Sequence, residues 1–315
     1  MKKAKENWIG EQCRETEENL RKNNSKRAYQ QVKDLTTVKL GKVTTVQHRS
    51  GKCLTEERQV LNRWTEYCSE LYNHKANGDP SVLNCTQTDT EDDHPILHRA
   101  VEAAVQSLKK GKSAGVDNIP AELVQAGGED VITAITTICN KIWQTGEWPT
   151  PWTQSLVTTL PKKGNPQQCQ NYRKSSFISH PNKVMLKIIL NRLRPKAGKI
   201  IGEEQAGFSA GRSTTEQFFN LRILCEKYLL HQRDLYYVLV DFKKAFDRVW
   251  HAALRATMKY NISANLIRVI KNLHDKASSA VLFNSSIGDW FRTTVGDRQR
   301  CLLSPTLSTY FWKGS

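Results

Sequence analysis

The chain has 315 residues, 38% hydrophobic and 25% charged, enough to bury a sizeable core in one large or two modest domains. Its 47 Lys and Arg exceed its 31 Asp and Glu by 16, a surplus that favours a polyanionic partner. No apolar run of about 18 residues and no apolar leader follow Met1, so the surplus points to nucleic acid rather than a membrane, and to the nucleus or cytoplasm rather than secretion. The eight cysteines (13, 53, 68, 85, 139, 169, 225 and 301) include no C-x-x-C pair, which argues against a disulfide framework or a zinc module.

In chain order, residues 11–29 are polar almost all round and predict a solvated helix. Residues 54–72 place Val60, Leu61, Trp64, Tyr67, Cys68 and Leu71 at three- and four-residue steps, the stripe of an amphipathic helix. Residues 1–76 read together as a helical, charged connector. Residues 77–95, with turn formers and an acidic cluster, read as a linker, and the main domain is expected over 96–315. There, 96–110 predicts a helix ending at Gly111, and 111–120 a loop without phosphate-loop spacing that leads into a helix from about Ala121. A short strand is expected over 156–160, stopped by Pro161. The clearest helices are 184–193 and 214–230, and a further strand is expected over 290–295. Pro305 favours a helix starting near Ser304. Mixed strands and helices without an internal repeat indicate an α+β or α/β fold.

Two stretches carry chemistry. Residues 236–240 (YYVLV) predict a short buried strand that delivers Asp241 at its end, with Lys243, Lys244 and Arg248 close behind. A carboxylate so placed beside basic residues suits a hard metal ion that meets phosphates; the plainer alternative is a strand whose exposed end is Asp. Residues 148–202 hold ten Lys and Arg and no Asp or Glu. A solvated face normally intersperses acids, so phosphate neutralisation explains the tract more directly.

Five blocks, KKGKSAGVDNIPAELV (109–124), LPKKG…NYRKSSFISH (160–180), EEQAGFSAGRSTTEQ (203–217), LVDFKKAFDRVW (239–250) and RTTVGDRQRCLLSPTL (292–307), occur in the order found in one family. The chain resembles the reverse transcriptase of non-LTR (LINE-type) retrotransposons, with 1–95 similar to the segment preceding the polymerase domain. The resemblance implies an α+β, partial right-hand polymerase fold, with fingers and an incomplete palm and no thumb. It implies attack of a primer 3′-OH on the α-phosphate of a dNTP opposite an RNA template, with two Mg²⁺ stabilising the attacking and leaving oxygens. RNA template, DNA primer and dNTP are the implied partners; no membrane or particular protein partner is indicated.

Residue by residue, Asp241 matches the first metal-binding aspartate, with the Phe242 carbonyl as a further ligand. Phe246 matches the aromatic under the incoming sugar. Arg173 matches the arginine on the triphosphate, where a guanidinium gives bidentate bonds, and Lys162 is a second contact there. Gln299 matches a residue reaching the nucleotide, and Gly211 and Arg212 fall in a block against template or primer. Asp247 lies six residues past Asp241, a helical offset of about 240°, so a hydrogen-bonding or capping role is expected rather than shared metal ligation.

The chain also departs from the family. Lys174 stands where the family has Pro, Ser209 where it has Arg, and Arg300 where it has Gly. Arg300 adds a long side chain where close backbone approach is needed and is expected to obstruct the pocket. The F/Y-A-D-D run that supplies the remaining carboxylates occurs nowhere in the 315 residues. The expectation is therefore a C-terminally truncated polymerase, inactive alone because one aspartate and a carbonyl hold Mg²⁺ poorly. The rival readings are a non-catalytic, basic nucleic-acid-binding protein and an unstable gene-fragment product.

Overall fold

The computed structural model describes residues 2–22, 24–36, 45–74, 94–200, 202, 205–209, 211–242, 244–259, 261–296 and 301–313. They divide into two compact units, Met1–Thr44 and Thr45–Ser315. The first unit is a pair of helices, α1 (Lys2–Arg21) and α2 (Ser25–Thr36). The polar span expected as one helix over 11–29 is thus two. Asn19 Nδ2 donates to Gln31 Oε1 at 2.9 Å and Arg27 pairs with Glu15 at 3.4 Å, tying the two helices together through polar groups.

The second unit runs β1 (Val46–Gln47), β2 (Cys53–Leu54), α3 (Glu57–Tyr72), α4 (His98–Gln106), α5 (Ala121–Ala126), α6 (Gly128–Thr145), α7 (Thr150–Thr153), β3 (Gln154–Pro161) and β4 (Tyr172–Phe177). It continues with α8 (His180–Ile200), α9 (Thr214–Leu230), α10 (His251–Met258), α11 (Ala264–Asp275), β5 (Ser278–Phe283), β6 (Ser286–Ile287), β7 (Phe291–Arg292) and α12 (Ser304–Lys313). The fold is a mixture of helix and sheet. In the main sheet β3 is central. It pairs antiparallel with β4 (Leu156↔Phe177 to Pro161↔Tyr172) and parallel with β5 (Gln154↔Ser278 to Val157↔Val281), while β6 and β7 both pair antiparallel with β5. The buried Ser155 and Ser279 hydroxyls meet across the parallel pair at 2.8 Å, so neither is stranded in the core.

Two apolar clusters hold this unit. One gathers α4, α6, α8, α10 and α11 around Ile142, Met185, Ile189, Leu254 and Leu266. Within it the Trp148 indole N–H donates to Val269 O at 3.0 Å. The other lies between α3 and the sheet, with Val60, Trp64 and Cys68 against Val157, Tyr172, Val281 and Phe291. The stripe read over 54–72 is therefore a core face. Although α3 was expected in a connector, it folds as part of the second unit, because its apolar face has a sheet to cover. The expected linker falls mostly on 75–93, outside the described residues.

Two expected strands differ. Only Phe291 and Arg292 of 290–295 form a ladder. Residues 236–240 form no strand and are 61–88% exposed. Their apolar, β-prone composition suits a strand between neighbours, and no described strand pairs with them. The preceding helix α9, placed as expected and closed at its start by a Ser213–Glu216 capping box, likewise has no buried residue.

Candidate functional site

The β3–β4 hairpin presents the first group. Alternation along β4 turns Tyr172 and Lys174 inward and Arg173 outward, so Arg173 is exposed while Lys174 is only 2% exposed. Tyr172 packs edge-on against Trp64 at 4.8 Å between centroids. The Lys174 ammonium sits 4.8 Å from the Tyr67 ring centroid, a cation–π contact. Lys162, just past β3, is exposed, and its amide donates to Asn171 O at 2.8 Å, continuing the hairpin.

The second group is the turn after 236–240. Asp241 and Phe242 are exposed. A 3₁₀ turn, Ala245–Arg248, follows, entered through Lys244 at φ 60°, a left-handed conformation that a lysine adopts only when its surroundings impose it. The Lys244 ammonium donates to the Tyr67 hydroxyl at 2.9 Å and lies 5.2 Å from the same ring that holds Lys174. The residue after Arg173 and the third residue after Asp241 thus meet on one tyrosine. Burial pushes the Tyr67 phenol above its ordinary range, with Lys174 opposing the shift. Burial also drives the neighbouring Cys68 thiol up to about 12, so it stays a neutral core group. Phe246 is partly buried and meets Phe208 edge-to-face at 6.0 Å. Asp247 is 2% exposed, with its amide donating to Lys244 O at 3.0 Å.

The third group is the strand and loop at 291–296. Gly296 donates to Val249 O at 2.9 Å and its carbonyl meets His251 Nε2 at 2.9 Å. It has φ +81°, and a Cβ added there would lie 2.6 Å from Asp247 O. Only glycine lets this loop approach the 245–248 turn so closely. His251 stacks on His274 at 4.3 Å. Gln299 and Arg300 fall outside the described residues. Gly211 is exposed with φ +76°, and the Arg212 guanidinium donates to Gly202 O at 2.6 Å and Gln205 O at 3.3 Å, bracing its own loop.

A fourth cluster carries no role in the sequence reading. Ser179 Oγ donates to Asp117 Oδ2 at 2.5 Å, and Lys183 Nζ lies 3.3 Å from His180 Nδ1. Burial lowers the His180 pKa, with Lys183 adding to the effect. Burial lowers that of Lys183 as well, against Asp117. Gly115 approaches so closely that a Cβ would sit 2.3 Å from Ser179 N. This is how block 109–124 is tied to the end of β4 and the start of α8. The inward Lys174 and the αL Lys244 were also unassigned; strand alternation beside an outward Arg173 is the signal that could have found Lys174.

Among the described residues no three His, Cys, Asp or Glu side chains are grouped to hold a metal ion. Asp241 stands exposed while Asp247 is buried within its turn. Among the described residues no helix is long and apolar enough to cross a membrane.

Residues 160–314 match the family model described as "Reverse transcriptase (RNA-dependent DNA polymerase)", and this part of the chain belongs to that family. The particular relatives are proteins of mobile elements. The chain is 30% identical to "Probable RNA-directed DNA polymerase from transposon BS" of Drosophila melanogaster over 69% of its own length and 24% of the relative's. It is 29% identical to the X-element protein of the same fly, named in the same way, over 66% and 23%. It is 25% identical to "RNA-directed DNA polymerase from mobile element jockey" of Drosophila funebris over 69% and 24%. The chain thus spans about a quarter of the length of these relatives.

Proposed function

We propose that the chain supplies the nucleotide-handling part of an RNA-directed DNA polymerase of non-LTR retrotransposon type, comprising its fingers and part of its palm. The observation that carries this reading is the meeting of three blocks: the β3–β4 hairpin with Arg173, the turn after Asp241, and the loop at Gly296 packed against that turn. In a matched segment of this family, that places an exposed guanidinium and an exposed carboxylate on elements joined through one tyrosine. Arg173 and Lys162 would take the triphosphate, Phe246 would pack beneath the sugar, and Gln299 would reach the nucleotide from its own block. Gly211 and Arg212 would line the path of template or primer. Asp241 and the Phe242 carbonyl would contribute to a divalent cation site, taken as Mg²⁺, whose chemistry is charge neutralisation at the transferring phosphate. With no F/Y-A-D-D run in the 315 residues to supply further carboxylates, this reading expects no polymerisation by the chain alone.

Two measurements test this. A photoreactive dNTP should label the chain, and Arg173→Ala should remove most of the labelling. Purified chain with Mg²⁺, RNA template and annealed primer should give no extension; extension abolished by Asp241→Ala would overturn the claim of inactivity, and labelling indifferent to Arg173 would sink the site assignment. The acid-free tract 148–202 also supports a second reading, a non-catalytic nucleic-acid binder. That reading expects RNA binding unchanged by Asp241→Ala, no labelling by dNTP, and affinity falling steeply with salt. Changing Lys162, Lys163 and Arg173 together should flatten the salt slope by about 2, at roughly 0.7 per single-strand phosphate contact.

A further inference from the structure

Helix α3 lies outside the 160–314 match, yet its last two turns touch all three blocks of the candidate site. On the hairpin, Trp64 and Tyr67 hold Tyr172 and Lys174, the two inward neighbours of the outward Arg173. On the turn, the Tyr67 hydroxyl accepts from Lys244. On the third block, Tyr72 O accepts from Thr294 N at 2.9 Å and Val295 N at 3.2 Å. Beside it, Asn73 Nδ2 donates to Arg292 O at 2.7 Å, and the Tyr72 ring stacks on Phe291 at 6.4 Å. These are side chains and backbone groups of one rigid helix, so the three blocks share one reference frame.

Resting on the reading above, we propose that α3 is a positioning element of the nucleotide site and that Tyr67 is its positioning residue. Tyr67 holds Lys244 in its left-handed conformation, and through it fixes the turn bearing Asp241 and Phe246 in register with the strand bearing Arg173. The left-handed φ at Lys244 supports this directly. Such a conformation persists where the surroundings over-determine it, and the 2.9 Å bond to Tyr67 with the ring beneath the ammonium is a restraint of that kind. Tyr67 does not touch nucleotide in this scheme; it acts through Lys244.

The test is hydrogen exchange of the full chain followed by peptide mass spectrometry, without nucleotide, so that it reads the anchoring whether or not the polymerase reading survives the labelling experiment. Tyr67→Phe removes the hydroxyl but keeps the ring and the packing. Amides in 244–249 should exchange about tenfold faster, the effect of losing one hydrogen bond to a charged group, while amides in 184–193 of α8 keep their rates. Tyr67→Leu, which also removes the ring beneath Lys174, should extend the acceleration to 172–177. Should Tyr67→Leu not fold, Lys244→Met breaks the same bond from the other side and should also loosen 245–249. A merely structural role would accelerate α8 in step with the turn and lower the unfolding temperature in Tyr67→Phe. Unchanged exchange at 244–249 in Tyr67→Phe, or acceleration spread uniformly over the chain, overturns the proposal.

Discussion

Gly296 shows how much can hang on one missing Cβ. Its left-handed φ and the 2.6 Å approach to Asp247 O mean that Gly296→Ala must both strain its own backbone and push the 245–248 turn away. A loss of about 1–3 kcal/mol is expected from the backbone conformation alone. Chemical denaturation should read it, with Gly211→Ala, where a Cβ meets nothing within 4 Å, as the control for strain without a clash. His180 gives a residue-scale pH dependence. Its folded pKa is lowered by burial and by Lys183, so between that value and its ordinary one near 6.5 the unfolded chain binds the proton and the folded chain does not. This contribution makes stability rise with pH through that window and fall on acidification. Thermal melts between pH 5 and 7 should therefore show a shallower slope for His180→Gln than for the parent. An equal slope in both would remove His180 from the account.

At the scale of elements, α3 bears the most weight. Trp64 is fully buried between α3 and Tyr172, so Trp64→Ala should cost about 3–5 kcal/mol, measurable as a shift in denaturant midpoint. The helix itself was legible because its apolar residues recur at helical steps. Likewise α9 was legible as a helix over 214–230, and β3 as a strand ending near Pro161, which itself closes the ladder opposite Tyr172. What α3 packs on was not legible, since periodicity gives a face but not its partner. The parallel pairing of β3 with β5 joins residues 124 apart, as Ser155 with Ser279, and local pattern has no access to such a distance. Residues 236–240 mark the opposite error. A run of aromatic and β-branched residues states a preference for a sheet, and the preference is realised only where a neighbouring strand donates and accepts. Of the candidate site, Arg173 was named from its motif, and the structure adds that it lies exposed on β4. The inward Lys174, the αL Lys244 and the tyrosine joining them depend on tertiary contacts between segments far apart in the chain.

For the whole molecule, α9 and 236–240 together expose Phe218, Phe219, Leu229, Leu230, Tyr236, Val238 and Leu239. An apolar, hydrogen-bond-hungry segment of this kind promotes association between copies, against which the net charge of +16 works as a general repulsion. Val238→Lys, which places a charge on a side chain 87% exposed, should reduce concentration-dependent association in light scattering and leave the melting temperature unchanged. Raising salt should increase association of the parent, because screening weakens the repulsion but not the apolar attraction.

The bonds from Thr294 to Tyr72 also set a clock. They join residues 222 apart, so the C-terminal end of α3 is made long before the loop that closes on it. At about 5–20 residues per second, a ribosome needs roughly 10–45 s to bridge that gap. Trp64 waits less, since the Tyr172 it packs on follows 108 residues later, and until then it is an uncovered apolar surface on the nascent chain.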